Sequence, residues 1–171
     1  MDIEFVDENF AEGKEGKISA VSVNGHVCIM KQFKKQKSVD RLKKEAAFQT
    51  AAAALGVAPP VLHVDEVEKR IFMEGLPHLF LDIAKTRRPP AMLMDEVARI
   101  KYIFNTLDAN NIFHNDGNCR NLMMDANGVI FLIDYGMAKK PNNKKTTQPN
   151  MYYGWEAMKR SLRQNGVSVP T

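Results

Sequence analysis

Short β-rich runs at 18–23 and 27–30 flank Asn24-Gly25. An Asn-Gly pair between two such runs predicts a type I′ hairpin, because both turn positions need a positive φ that these residues tolerate. Ser38 then opens a helical period that runs to Leu55, where Gly56 stops it and Pro59-Pro60 prevents its return. Residues 61–67 and 70–73 read as two further strands. From Leu93 the period lengthens: Leu93, Val97, Ile100, Phe104 and Leu107 recur at spacings of four, three, four and three, one apolar face of a helix. A polar loop at 114–121 follows, then a hairpin of 122–124 and 129–133 around Asp125-Ala126-Asn127-Gly128. The last 35 residues, from Met137, hold a basic polar loop and one weak helix around 155–164. The pattern predicts an α+β chain: an antiparallel sheet with one helix over about 1–75, a helical part after it, and polar loops at a cleft.

With 171 residues, 44% hydrophobic and 26% charged, the composition excludes a disordered or fibrous chain and leaves no room for tandem large domains. The acidic start, Met1-Asp2-Ile3-Glu4, argues against a secretory leader, and the longest apolar stretch, 51–62, is too short to span a membrane. Cys28 and Cys119 are too far apart to form a zinc-ligand pair and too few for a disulfide framework, so a reducing, cytoplasmic setting is expected. The net charge is +4, with seven basic residues in 31–44 and a second group at Lys139, Lys140, Lys144 and Lys145. An acidic partner would be drawn to these. A solvated face is the preferred reading, since no aromatics interleave to stack bases, and nucleic acid is therefore not an expected partner.

Three clusters carry candidate chemistry. Gly13 and Gly16 precede a strand, where backbone N–H groups can approach phosphate closely, although two glycines also make an ordinary turn. Lys31 closes a strand and Glu45 lies in the next helix; an ammonium can hold phosphate oxygens while a carboxylate orients it. Asp116, Asn118 and Asn121 in the polar loop, with Asp134 after the hairpin, supply hard oxygen ligands for magnesium and a carboxylate for a hydroxyl proton.

In order and spacing these clusters resemble the protein kinase superfamily. Ala11-x-Gly13-x-x-Gly16-x-Ile18 is similar to the glycine-rich loop, with alanine at its first glycine. Val27-Cys28-Ile29-Met30-Lys31 resembles the strand bearing the ATP-binding lysine, and Glu45 its helix partner. Residues 71–76 resemble the strand leading to the hinge. His114-x-Asp116-x-x-x-x-Asn121 has the catalytic-loop spacing, and Asp134-Tyr135-Gly136 stands for the metal-binding turn. The likeness runs over residues 11–140, about three quarters of the chain. It implies a two-lobed fold forming a single minimal kinase domain over 1–171: an antiparallel-sheet N-lobe at about 1–75, a hinge at about 74–77 and a truncated helical C-lobe at about 78–171.

The resemblance implies ATP and Mg2+ as cofactors. Gly13, Gly16, Ile18, Lys31, Glu45, Glu74 and Leu76 would contact the nucleotide, with backbone groups near Glu74 and Leu76 meeting the adenine edge. Asn121 and Asp134 would hold magnesium. Asp116 would take the proton of the attacking hydroxyl, with Lys31 and Asn118 beside it as catalytic groups. The implied activity is that of a small protein Ser/Thr kinase working on a protein substrate in the cytoplasm, or in the cytosol of a host cell. The alternatives are a small-molecule phosphotransferase of the choline or aminoglycoside kinase type and a non-catalytic kinase-fold module.

The departures narrow this. Asn115 stands where many kinases have the arginine that reads a phosphorylated activation loop, so loop phosphorylation is not the expected switch. Asn118 replaces a lysine and brings no charge, which implies slower protein phosphorylation. Tyr135 resembles the casein kinase I and vaccinia-related groups, and the Asp116, Asn118, Asn121 pattern resembles OspG/NleH-type effector kinases. No Ala-Pro-Glu element follows Gly136. A minimal lobe of this kind implies an activating partner, such as a ubiquitin-conjugating enzyme or another host protein. Bland readings are preferred elsewhere: core filling for Met92, Met94, Met123 and Met124, a passive small residue for Cys119, a loop brace for His114, and no special role for Thr146 and Thr147.

Overall fold

The computed structural model describes residues 2–12, 16–141 and 149–171. Gly13, Lys144, Lys145, Thr146 and Thr147 therefore lie outside the described residues. The chain is α+β, with an antiparallel sheet of five strands and, among the described residues, four α-helices. It divides into two compact units, Met1–Leu76 and Pro77–Thr171.

In the first unit, β1 (Ile3–Glu12), β2 (Gly16–Val23), β3 (His26–Phe33), β4 (Val61–Asp65) and β5 (Arg70–Glu74) form a sheet in the order β1-β2-β3-β5-β4. Asn24 and Gly25 both have positive φ, 51° and 81°, which completes the expected type I′ hairpin between β2 and β3. Helix α1 (Val39–Ala54) begins where the Ser38 hydroxyl accepts the Arg41 N–H at 3.2 Å, and it ends before Gly56, whose φ is 77°. Its Leu42 and Ala46 close over Ile29, Phe33, Ile71 and Met73 on one face of the sheet. Val21, Cys28, Met30 and Phe72 form a second cluster, as the period-two alternation of the strands requires.

Three features of this unit differ from the sequence reading. β1 was not expected, because its acidic sequence lacks a clean alternation; it forms by pairing along β2, with irregularities between Phe5 and Asp7 and between Asp7 and Ala11. The strand expected over 61–67 stops at Asp65, whose Oδ1 accepts the N–H groups of Val67 and Glu68 and turns the chain. Within the basic 31–44 segment, Lys31 is buried, whereas Lys34, Lys35, Arg41, Lys43 and Lys44 form an exposed face. Lys44 lies over the Phe48 ring and Lys43 is 3.7 Å from Glu66, as a solvated face with apolar stems would have it.

The second unit contains β6 (His78–Leu79), α2 (Phe80–Thr86), α3 (Met94–Ala109), β7 (Leu122–Met124), β8 (Ile130–Leu132) and α4 (Trp155–Gln164). Strands β6, β7 and β8 make a small antiparallel sheet in that order. A 3₁₀ turn (Cys119–Asn121) precedes β7, and a π turn (Asn150–Gly154) leads into α4. The apolar face of α3 buries Val97, Ile100, Phe104 and Leu107, joined by Ile103. Leu93 departs from the expected face: it precedes the helix and is half exposed. Glu96 completes that helix start, accepting the Leu93 N–H at 2.8 Å and a two-pronged contact from Arg87 at 2.6 and 2.8 Å. Helix α2 was not expected, being only seven residues long, yet it buries Phe80, Leu81 and Ala84. Met92, Met123 and Met124 fill the core; Met94, on the solvent side of α3, does not. No described helix is long and apolar enough to cross a membrane.

Candidate functional site

Alternation along β3 places Ile29, Lys31 and Phe33 on the face covered by α1, so one cation stands in an apolar row. Its cross-strand neighbours are Ile18 on β2 and Ile71 on β5. Helical spacing brings Glu45 to the same side as Leu42, Ala46 and Gln49. The Lys31 Nζ donates to Glu45 Oε1 at 2.6 Å, with the two side chains 3% and 2% exposed, and it lies 5.1 Å from the Phe33 ring centroid. Desolvating two charges costs about as much as their attraction returns, so a pair buried this deeply contributes little net stability and marks a candidate site.

Gly16 pairs with Phe33 at the start of β2. A Cβ there would press into the Gln32 carbonyl oxygen, so close strand approach explains this glycine without any ligand. Glu74 ends β5, its N–H already donating to the Pro60 carbonyl at 2.9 Å, and Leu76 closes the unit as a buried residue.

In the second unit the 114–121 loop is braced from within. His114 is buried; its Nδ1 accepts the Asp116 N–H at 3.2 Å and its Nε2 faces the Ile133 carbonyl at 2.9 Å. Burial holds the imidazole below the usual histidine range, against the opposing pull of the Ile133 carbonyl and the nearby Asp134 and Asp116. Neutral, with its proton on Nε2, the ring satisfies both contacts and acts as a loop brace. Asn121 Nδ2 donates to Asp116 Oδ2 at 3.0 Å and to the Asp116 carbonyl at 3.2 Å. Because that amide nitrogen is committed, the Asn121 side-chain Oδ1 is the atom that could face a cation.

Strand pairing sets the third member. Leu122 pairs with Leu132, and the Ile133 N–H donates to the Asn121 carbonyl at 2.9 Å, which brings Asp134 in directly after it. Asp134 has a φ of 63°, and its Oδ1 accepts the Gly136 N–H at 3.3 Å. Asn115 has the same φ, and such left-handed residues gather where function imposes a geometry. Its Nδ2 donates to the carbonyls of Phe113 and Met137, both at 3.2 Å. Phe113 and Lys139 also exchange two backbone hydrogen bonds of 2.9 Å. These neutral contacts hold the segment after Gly136 to the loop.

Asn118 is exposed, and its Oδ1 accepts the Arg120 N–H at 2.9 Å, capping the 3₁₀ turn. Gly117 sits against the start of α4, where a Cβ would meet the Gly154 oxygen at 2.5 Å and Ala157 Cβ at 2.9 Å. Cys119 is buried beneath Ser161 and Asn165, as befits a passive small residue.

The structure thus gathers Ile18, Lys31 and Glu45 in one unit and Asp116, Asn121 and Asp134 in the other. Among the described residues no three His, Cys, Asp or Glu side chains converge to hold a metal by themselves. The oxygens of Asn121 and Asp134 nevertheless match the donor chemistry of Mg2+, which is commonly held by one or two carboxylates plus phosphate and water. Sequence reasoning missed Asp108 and Asn150, which support the loop; no local pattern distinguishes Asn150 from the other polar residues of its tail.

Tyr135 packs edge-on against His114 at 4.9 Å, and its hydroxyl is buried with no hydrogen-bond partner among the described residues. Burial pushes the phenol above its ordinary range. Tyr135→Phe removes a desolvated hydroxyl and keeps the ring, so it is expected to raise stability by about 1 kcal/mol. Chemical denaturation of the two proteins checks this, and a loss of stability would show that the hydroxyl has a partner.

No protein-family model matches the chain, and no curated protein matches it either.

Proposed function

We propose that the chain is an ATP- and magnesium-dependent phosphotransferase with a kinase-like two-lobed fold, acting on protein Ser or Thr hydroxyls. The observation that carries this reading is the Asp116–Asn121 hydrogen bond beside Asp134, held by the pairing of β7 with β8. The buried Lys31–Glu45 pair supports it. Phosphate transfer asks for positioning and charge neutralisation more than covalent chemistry, and these residue types supply both.

In this reading Lys31 holds the α- and β-phosphates while Glu45 fixes its direction. Asn121 and Asp134 hold magnesium, which when bound neutralises and aligns the phosphates. Asp116, its carboxylate oriented by Asn121, accepts the hydroxyl proton. Asn115, with its two carbonyl contacts, does the ordering for which many kinases use a phosphorylated residue.

The test combines the purified chain with magnesium, γ-labelled ATP and generic basic and acidic proteins, with and without prior phosphatase treatment and with added cell extract. Label transfer that requires magnesium and survives phosphatase is the expected result. Magnesium-dependent ATP binding with no transfer under any condition would make the chain a non-catalytic module. Absence of ATP binding would overturn the reading altogether.

A further inference from the structure

Helix α3 is apolar on two sides. Its inner side buries Val97, Ile100, Ile103, Phe104 and Leu107. Its outer side carries Met94, Ala98 and Tyr102, each four residues from the next and so stacked in one row. All three are exposed, Met94 to 63% and Tyr102 to 54%. Core packing accounts for the inner row and not for the outer one. Single exposed apolar residues need no explanation, whereas contiguous ones point to a contact.

The outer row continues onto the β7–β8 hairpin. The Arg99 guanidinium lies 5.4 Å from the ring centroids of both Tyr102 and Phe131, and its Nε donates to the Ile130 carbonyl at 2.9 Å. Val129, beside them, is exposed as well. Arg99 thereby holds the Tyr102 ring in place before any partner arrives, which lowers the ordering cost of a contact. Tyrosine, methionine and arginine are the residue types enriched at the centres of protein–protein contacts.

The charges select the partner. Asp95 and Tyr102 are seven residues apart, as are Met94 and Lys101, so each pair shares one flank of Ala98. Asp95 and Lys101 are both exposed, and the Lys101 ammonium is held 5.7 Å from the Trp155 ring centroid. An acid near one end of the face and a base near the other do not suit a partner of a single sign. They suit the same face reversed. When a second copy lies antiparallel across Ala98, each Asp95 carboxylate comes beside the Tyr102 hydroxyl and Arg99 guanidinium of the other copy. Each Met94 thioether then meets the Lys101 side chain. Ala98, at the centre, is small enough for the two helices to approach to about 8 Å.

We propose that the outer face of α3 is a twofold contact through which two copies of this chain associate. The contact does not depend on the phosphotransferase reading. A twofold axis closes it, so association stops at the dimer. One helix face and one hairpin edge make a small interface, and the expected Kd is about 10–100 µM.

Sedimentation equilibrium of the full chain from about 1 to 300 µM tests this, the mass rising from monomer to dimer and no further. Ala98→Glu sets two like charges on the axis and is expected to weaken association at least tenfold. Because Ala98 is exposed, the melting temperature of the dilute monomer stays unchanged. Ala98→Cys is expected to cross-link two chains under mild oxidation at least tenfold faster than Ala109→Cys. Ala109 is exposed too, but at the far end of the helix, and the native Cys28 and Cys119 are buried. A chain that stays monomeric throughout overturns the proposal and leaves the face to a different protein. Growth beyond the dimer, an Ala98→Glu dimer as tight as wild type, or equal cross-linking at the two positions overturns it as well. If Ala98→Glu lowers the melting temperature, the cysteine comparison decides.

Discussion

Asp134→Asn is expected to lower phosphate transfer by about 10³-fold or more while leaving the melting temperature where it is. In the proposed phosphotransferase, the substitution removes the carboxylate charge that Asp134 would offer to magnesium, and loss of such charge stabilisation commonly costs several kcal/mol in the transition state. The choice of asparagine follows from the backbone. At a φ of 63° an asparagine is tolerated almost as well as the aspartate it replaces, whereas alanine adds strain of about 1–2 kcal/mol and blurs the readout. Initial rates with labelled ATP, taken with thermal unfolding of the same samples, make the comparison. Near-normal turnover in a stable Asp134→Asn protein would move the site elsewhere.

Lys31→Met is expected to do two things at once. On the proposed function, transfer falls by a similar factor, because the cation assigned to the phosphates is gone. Stability falls by about 3–5 kcal/mol, because the Glu45 carboxylate stays buried after losing its ammonium partner. Adding Glu45→Leu removes that stranded charge and lets the row of Ile18, Ile29, Phe33 and Ile71 close over methionine and leucine. The double variant is expected to regain most of the lost stability and none of the activity. Denaturant unfolding of the three proteins beside their transfer rates separates the two effects. A single variant as stable as the wild type would mean that the pair is not buried in solution.

The stability half of that prediction could not be read from residue order. Lys31 sits among Lys34, Lys35, Lys37, Arg41, Lys43 and Lys44, and sequence alone groups it with them as one basic run. Only the pairing of β3 between β2 and β5, with α1 above, puts Lys31 on the inner face and Lys34, Lys35, Arg41, Lys43 and Lys44 in solvent. The same holds for Gly16. In sequence it is half of a weak phosphate-loop pattern; in the sheet it is where the Gln32 carbonyl leaves no space for a side chain.

Elements whose signals are local were legible. Ser38 and Gly56 bound α1, the 3.6-residue period marks α3, the bounds of α4 are those expected, and Asn24-Gly25 turns the β2–β3 hairpin, because caps, turns and periodicity act within a few residues. The 114–121 motif and Asp134 were legible as a candidate site for the same reason: their spacing is set by one loop and one short hairpin. β1 and α2 were not, since an irregular edge strand and a seven-residue helix owe their form to the surfaces they lie against. Nor was Asn150, whose partners Asp108, Ile112 and His114 are brought to it only by the packing of the C-terminal segment on α3. Local sequence thus determined the capped, periodic and hairpin elements and which side chains are candidates for chemistry. Tertiary structure decided which charges lost their water and what holds the loop in place, because desolvation and long-range hydrogen bonds depend on neighbours that only the fold supplies.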